Sequence, residues 1–137
     1  MARKSRAKSA PILSDAKNMM WKAGLYSRLS VEDGDDTEQN SIGNQKKIGR
    51  HYLADKTDIV LADTYSDSGC TGMDFERPDF KRMIGDMRSG RINCVIVKDV
   101  SRLGRHFVMT SNYVERIFPE MGVRLICIND GYDSSAP

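Results

Sequence analysis

The chain has 137 residues, with 21 Lys and Arg against 19 Asp and Glu, 39% apolar residues and 29% charged ones. That length has room for one domain and one hydrophobic core. No apolar run exceeds four residues, so a membrane-spanning helix is excluded, and the basic N-terminus leads into no apolar stretch of the kind a secretory signal needs.

Charge is unevenly placed. Residues 1–22 hold Arg3, Lys4, Arg6, Lys8, Lys17 and Lys22 against Asp15 alone, a local +5, and the other 15 basic and 18 acidic residues sum to −3. Overall basicity therefore makes no case for nucleic-acid binding, which has to rest on where particular arginines sit. Residues 1–21 read as a basic, disordered tail and residues 22–137 as the folded domain. Cys70, Cys94 and Cys127 form no CxxC pair and no Cys/His cluster, so neither a disulfide framework nor a zinc site is indicated. Cys94 and Cys127 lie in apolar runs and read as buried small hydrophobes. His51 and His106 have no metal-ligand spacing.

From residue 22 onward, strand-like and helix-like segments alternate. Lys22–Leu29 reads as a first strand. The stretch from Ser41 to Lys56 reads as a helix with Ile42, Ile48, Tyr52 and Leu53 on its apolar side. Asp58–Tyr65 reads as a second strand around Ile59-Val60-Leu61-Ala62. Pro78–Arg88 carries Phe80, Met83, Ile84 and Met87 at i, i+3, i+4 and i+7, which predicts an amphipathic helix ended by Ser89-Gly90. Asn93–Val97 is a continuous apolar run, expected of a strand covered on both faces. A helix over Arg105–Met121, burying Val114, Ile117, Phe118 and Met121 and stopped by Gly122, precedes a fourth strand at Val123–Ile128. This order predicts an α/β fold: a mainly parallel central sheet of four or five strands with helices on both faces.

In such sheets ligands gather at the carboxyl ends of strands. Arg28-Leu29-Ser30 follows strand one, and then an acidic loop, Val31–Asn40. Tyr65–Gly72, read as a polar mobile loop, follows strand two. Lys98-Asp99-Val100-Ser101-Arg102-Leu103-Gly104-Arg105 follows strand three, and Asn129-Asp130-Gly131-Tyr132 strand four. Tyr26, Arg28 and Ser30 are two apart and share a strand face. Arg102 and Arg105 share one side of a helical turn. Arg77 precedes a proline at a helix start, where backbone N–H groups also favour anions. Each residue alone has a bland explanation. A lone arginine at a helix end is usually solvated, Ser30 would serve as a turn cap, and Asp67 and Asp99 would neutralise arginines. Together they place several permanent positive charges, matched to phosphate oxygens, around one hydroxyl.

Tyr26-Ser27-Arg28-Leu29-Ser30, Ser41-Ile42-Gly43-Asn44-Gln45, Tyr65-Ser66-Asp67-Ser68-Gly69, Arg77-Pro78-Asp79-Phe80 and Ser101-Arg102-Leu103-Gly104-Arg105 resemble, in order and spacing, the serine recombinase (resolvase/invertase) catalytic domain. The likeness is strongest to the large serine recombinases of mobile and conjugative transposons. The resemblance implies a resolvase-like fold and site-specific DNA strand cleavage and rejoining, for integration or excision of a mobile element. By match, Ser30 is the nucleophile that becomes 5′-phosphoserine-linked, Arg28, Arg77, Arg102 and Arg105 bind the phosphate, and Gln45 and Asp67 support them. It also implies no metal or nucleotide cofactor, double-stranded DNA as partner, no small-molecule substrate and no membrane. A homodimer and homotetramer are implied for the full-length protein, with a cytoplasmic, bacterial and nucleoid-associated location.

Three departures stand out. Ser101 occupies a place where many small resolvases carry an aspartate. The loop after Ser30 is long and holds Glu32, Asp33, Asp35, Asp36 and Glu38, which are expected to face solvent or a partner subunit. The family's oligomerisation helix and DNA-binding domains are absent up to Pro137, so the chain reads as the catalytic part of a longer protein. Two alternatives compete with this reading. One is a metal-dependent phosphoryl-transfer domain using Asp63, Asp67, Asp99 and Asp130; the other is a non-catalytic oligomerisation or regulatory module.

Overall fold

The computed structural model describes residues 20–29, 41–68, 77–104 and 107–135. Residues 1–19 of the basic tail, the acidic loop, Ser30, Cys70, Arg105 and His106 lie outside the described residues, as does the 69–72 part of the loop expected after strand two, while Trp21, expected in the tail, begins the first strand. Five strands form one sheet in the order β2-β1-β3-β4-β5, where β1 is Trp21–Leu29, β2 Ile59–Ser68, β3 Cys94–Val97, β4 Arg124–Cys127 and β5 Tyr132–Asp133. Strands β1 to β4 pair in parallel, and β5 returns antiparallel beside β4. Residues 129–132 were expected as a loop. Gly131, at φ +63°, instead turns the chain back so that Tyr132 and Asp133 pair with Cys127 and Ile126.

The sheet divides the apolar interior into two layers rather than the single core expected. Ala23, Leu25, Cys94, Ile96 and Ile126 face one side, with Tyr52 and Leu53 packed against them. Tyr26, Val95, Val97, Leu125 and Cys127 face the other, together with Phe80, Met83, Met87 and Phe118. Alternate residues of β1, β3 and β4 thus serve opposite faces, as the two-residue period of a strand requires. Both faces are covered by helices, which is why these strands read as nearly continuous apolar runs.

Helix α1 (Ile42–Leu53) opens at Ser41, whose Oγ accepts the Asn44 N–H at 3.1 Å. It ends three residues before the expected Lys56, because the Ala54 and Lys56 N–H groups bond back only three residues and the chain turns toward β2. Ile42, Ile48, Tyr52 and Leu53, expected on its apolar side, are half-buried, with Tyr52 and Leu53 packed against the core, and its fully buried residues are Gln45 and Gly49. Close approach to β1 explains this. A Cβ on Gly49 would lie 2.5 Å from Leu25 Cδ1, so only glycine lets the helix axis come this near the strand.

Strand β2 lies at the sheet edge. Its Val60 and Leu61 are 40% and 36% exposed, because among the described residues one flank of the strand has no neighbour. The strand also continues past the expected end at Tyr65 through Ser66-Asp67-Ser68, which was expected to be loop, so Tyr65 and Asp67 are both buried strand residues. A bulge makes this useful. Ala23 pairs with Leu61 but Gly24 with Asp63, which leaves Ala62 as the extra residue. Ile59 packs on the α1 side, yet Tyr65, of the same parity, packs on the opposite side. Without the extra residue, Tyr65 and Asp67 would stay on Ile59's face.

Helix α2 (Pro78–Arg88) has the predicted boundaries and buries Phe80, Met83 and Met87. Gly90, at φ +83°, follows it. The helix expected over residues 105–121 is found as α3 (Phe107–Asn112), a π-helical segment (Tyr113–Ile117) and a last turn, α4 (Phe118–Glu120). Pro119 has no N–H to give the Glu115 carbonyl, and the Phe118 N–H reaches back five residues to Tyr113. Phe118 is buried as expected, whereas Val114, Ile117 and Met121 are only partly covered.

Candidate active site

Pairing of β1 with β3 stops at Leu25, and the peptide groups of Arg28 beyond it find side chains instead of a strand. Gln45 Oε1 accepts the Arg28 N–H at 3.1 Å, and Gln45 Nε2 donates to the Arg28 carbonyl at 3.0 Å. Arg102 Nη1 donates to the same carbonyl at 2.6 Å. In return, the Arg28 side chain crosses to the turn after β3, with Nη2 donating to the Ser101 carbonyl at 2.7 Å and Nε to the Arg102 carbonyl at 3.2 Å. Two arginines distant in sequence thus hold each other's backbone.

The turn itself is a 3₁₀ segment, Val100–Arg102, capped by Asp99. Asp99 Oδ1 accepts from the Ser101 N–H at 3.1 Å, from the Ser101 hydroxyl, and from Arg102 Nε at 3.3 Å. Asp130 fixes the other side by accepting the Val100 N–H at 2.7 Å. Burial pushes the Asp99 carboxyl up. The Ser101 hydrogen bonds and the Arg102 charge more than offset it, so the pKa ends below the ordinary value.

Arg77 arrives from the start of α2. Its Nη1 donates to the Arg102 carbonyl at 3.4 Å, and its guanidinium lies 4.2 Å from the Phe80 ring centre. Arg77 occupies the N-cap position but gives no cap hydrogen bond. Asp67 does that from β2, accepting the Asp79 N–H at 3.1 Å and the Phe80 N–H at 3.0 Å. Asp79 answers by accepting the Ser66 N–H at 2.9 Å. Tyr26 completes the join, donating its hydroxyl to Asp67 at 2.8 Å. Burial drives the Tyr26 phenol above its usual range; Arg77 opposes this and Asp67 adds to it, so the hydroxyl stays protonated.

Two guanidiniums, those of Arg28 and Arg77, therefore meet at the Arg102 carbonyl, while the Arg102 guanidinium donates to the Arg28 carbonyl. Arg28, Arg77 and Arg102 are 2%, 7% and 5% exposed, which shields their charge poorly from one another and from any anion. Carbonyl oxygens orient all three, and Arg102 is in addition ion-paired with Asp99 at 3.3 Å. Such a group suits a phosphate whose oxygens gain charge during reaction.

Of the sequence-predicted residues, the structure brings together Arg28, Gln45, Asp67, Arg77 and Arg102, while Ser30 and Arg105 lie outside the described residues. Sequence reasoning passed over Tyr26 as a site residue and treated Asp99 only as a neutralising group or a metal ligand. The Asp-x-Ser spacing at a helical start was the available signal for a cap. The aspartates of the metal-dependent alternative are engaged by the chain's own donors. Asp63, inside β2 rather than at its end, accepts from Arg82 at 2.9 Å, and Asp67, Asp99 and Asp130 hold the contacts above. Among the described residues no three His, Cys, Asp or Glu side chains gather so as to hold a metal ion.

Residues 23–137 match the family described as resolvase, N-terminal domain. The chain belongs to this family. The resolvase-family domain is similar to the N-terminal catalytic domain of TP901-1 integrase, with 28% identity over 84% of this chain and 82% of that one and a TM-score of 0.72. It is similar also to a resolvase family site-specific recombinase from Streptococcus pneumoniae, at 30% identity over 85% and 78% of the two chains, TM-score 0.67. A serine recombinase from Sulfolobus solfataricus, 20% identical over 78% and 69% with a TM-score of 0.58, shares the fold. No curated protein matches significantly. The resolvase-family domain is thus a serine recombinase catalytic domain, an enzyme of site-specific recombination that binds DNA. Neither the metal-dependent nor the non-catalytic alternative is favoured. Among the described residues no helix is long and apolar enough to cross a membrane.

Proposed function

We propose that Ser30 is the nucleophile and that Arg28, Arg77, Arg102 and Arg105 bind and neutralise the scissile phosphate of double-stranded DNA. The Ser30 oxygen attacks phosphorus, the bond to the 3′ oxygen breaks, and that oxygen leaves as a hydroxyl after gaining a proton. The 5′ phosphate stays esterified to Ser30, and attack by another strand's 3′-hydroxyl reverses the step. The covalent bond retains the energy of the broken one, so rejoining needs no nucleotide. Gln45 holds the Arg28 backbone, and Asp67 holds the helix start that carries Arg77.

The meeting of Arg28 and Arg77 at the Arg102 carbonyl carries this reading, because it gathers charge from three separate elements at the carboxyl end of β1. In the same reading residues 22–137 form the catalytic domain behind the basic tail. The active species is a homodimer that pairs into a homotetramer, and it works in the bacterial cytoplasm, at the nucleoid, to integrate or excise a mobile element without metal.

The test is denaturant trapping of protein–DNA adducts by the full-length protein on duplexes from the boundaries of the element that encodes it. Adducts through a 5′ phosphate are expected, undiminished by chelator and lost in Ser30→Ala. Adducts that persist in Ser30→Ala would remove Ser30 from its role, and metal dependence would favour the alternative.

A further inference from the structure

We propose that Asp99, working with the Ser101 hydroxyl, is a positioning residue that aims the Arg102 guanidinium at the phosphate. This rests on the reading of Arg102 as a phosphate ligand. Asp99 Oδ1 accepts from Arg102 Nε at 3.3 Å and from the Ser101 hydroxyl, and Ser101 Oγ in turn accepts from Arg102 Nη2 at 3.1 Å. One carboxylate and one hydroxyl therefore hold two nitrogens along the same edge of the guanidinium plane, while Nη1 is tied to the Arg28 carbonyl. A planar fork gripped at three nitrogens has one orientation.

The support behind Asp99 is stiff. Asn129 N–H bonds the Lys98 carbonyl at 2.7 Å, Asp130 holds Val100, and Leu103 is buried in the core. Asp99 lies two residues from Ser101, and its charge reaches Arg102 both directly and through the hydroxyl. A carboxylate placed at position 101 itself would reach Arg102 directly, since Ser101 Oγ already lies at hydrogen-bond distance from Nη2. The clamp is therefore a two-residue equivalent of an acid adjacent to the arginine.

Asp99→Asn separates positioning from folding, because asparagine caps a helical turn as well as aspartate does. The variant is expected to fold, with only a small fall in melting temperature from the lost Asp99 charge. Its adduct formation by the full-length protein is expected to fall about 10- to 100-fold, the scale of a small misplacement of a reacting group. Asp99→Asn/Ser101→Asp is expected to recover most of the lost rate. On this chain alone, the Arg102 Nε–Hε NMR resonance, assigned by its loss in Arg102→Lys, is expected to be sharp, to broaden or shift in Asp99→Asn, and to return in the double variant. A parent rate and unchanged resonance in Asp99→Asn would overturn the positioning role while Arg102→Ala remains inactive. A parent rate in Arg102→Ala would instead overturn the reading of Arg102 itself. A melting temperature that falls far in Asp99→Asn and is not rescued along with the rate in the double variant would make Asp99 merely a cap.

Discussion

Arg124 grips Asp133 with two parallel hydrogen bonds, Nε to Oδ1 at 3.0 Å and Nη2 to Oδ2 at 2.7 Å, and lies 5.3 Å from the Trp21 ring centre. The Arg124 hydrogen bond holds the Asp133 carboxyl at about 2, below its ordinary 3.8, despite partial burial. Because the folded pKa is the lower, this pair stabilises the fold fully above pH 3.8 and loses its contribution as pH falls toward 2. Asp133→Asn is expected to lower stability at pH 7 by about 1–2 kcal/mol and to flatten the pH dependence between 4 and 2, as urea titrations at several pH values would measure. At the active site the arginines obey a different logic. Arg28, Arg77 and Arg102 all donate to carbonyl oxygens, which orient a cation without neutralising it, and Arg102 adds an ion pair with Asp99.

Element by element, two close approaches decide where those side chains stand. Helix α1 lies near enough to β1 for Gln45 to bond both peptide groups of Arg28, and Gly49, one turn further on, makes that distance attainable. Gly49→Ala would drive a methyl into the Leu25 side chain at 2.5 Å, and Leu25 is fully buried and has little room to yield. The expected cost is about 1–3 kcal/mol, measured by chemical denaturation, and a smaller cost in a Leu25→Val background. The bulge at Ala62 is the second device. It turns Asp67 to the face that carries Tyr26 and α2, and from there Asp67 caps the helix that presents Arg77. A polar stretch such as Tyr65–Ser68 lacks the apolar alternation that marks a strand, and only the parallel pairing with β1 makes it one.

In the whole molecule the sheet separates two apolar layers, and each holds one cysteine. Cys94 lies in the α1-side layer and Cys127 in the α2-side layer. Burial pushes both thiols up to about 12. In a Cys70→Ser background neither is expected to react with a thiol reagent at pH 8 faster than the domain opens, and both are expected to become reactive together on unfolding. Labelling of one ahead of the other, followed by mass spectrometry, would show the two layers opening separately. The site stands at the carboxyl ends of β1 and β3, where the strands diverge and α2 begins, so its arginines come from three elements that the sheet alone brings together.

Local pattern was enough to place the alternation of strands and helices, the boundaries of α2 and the burial of β3, because period and caps are properties of neighbouring residues. The motif spacing likewise marked Arg28, Gln45, Asp67, Arg77 and Arg102. The tertiary structure decided the edge position of β2, the Ala62 bulge, the buried face of α1 and the grip of Asp99 on Arg102. Each depends on which surfaces lie side by side after folding, and no local period encodes that.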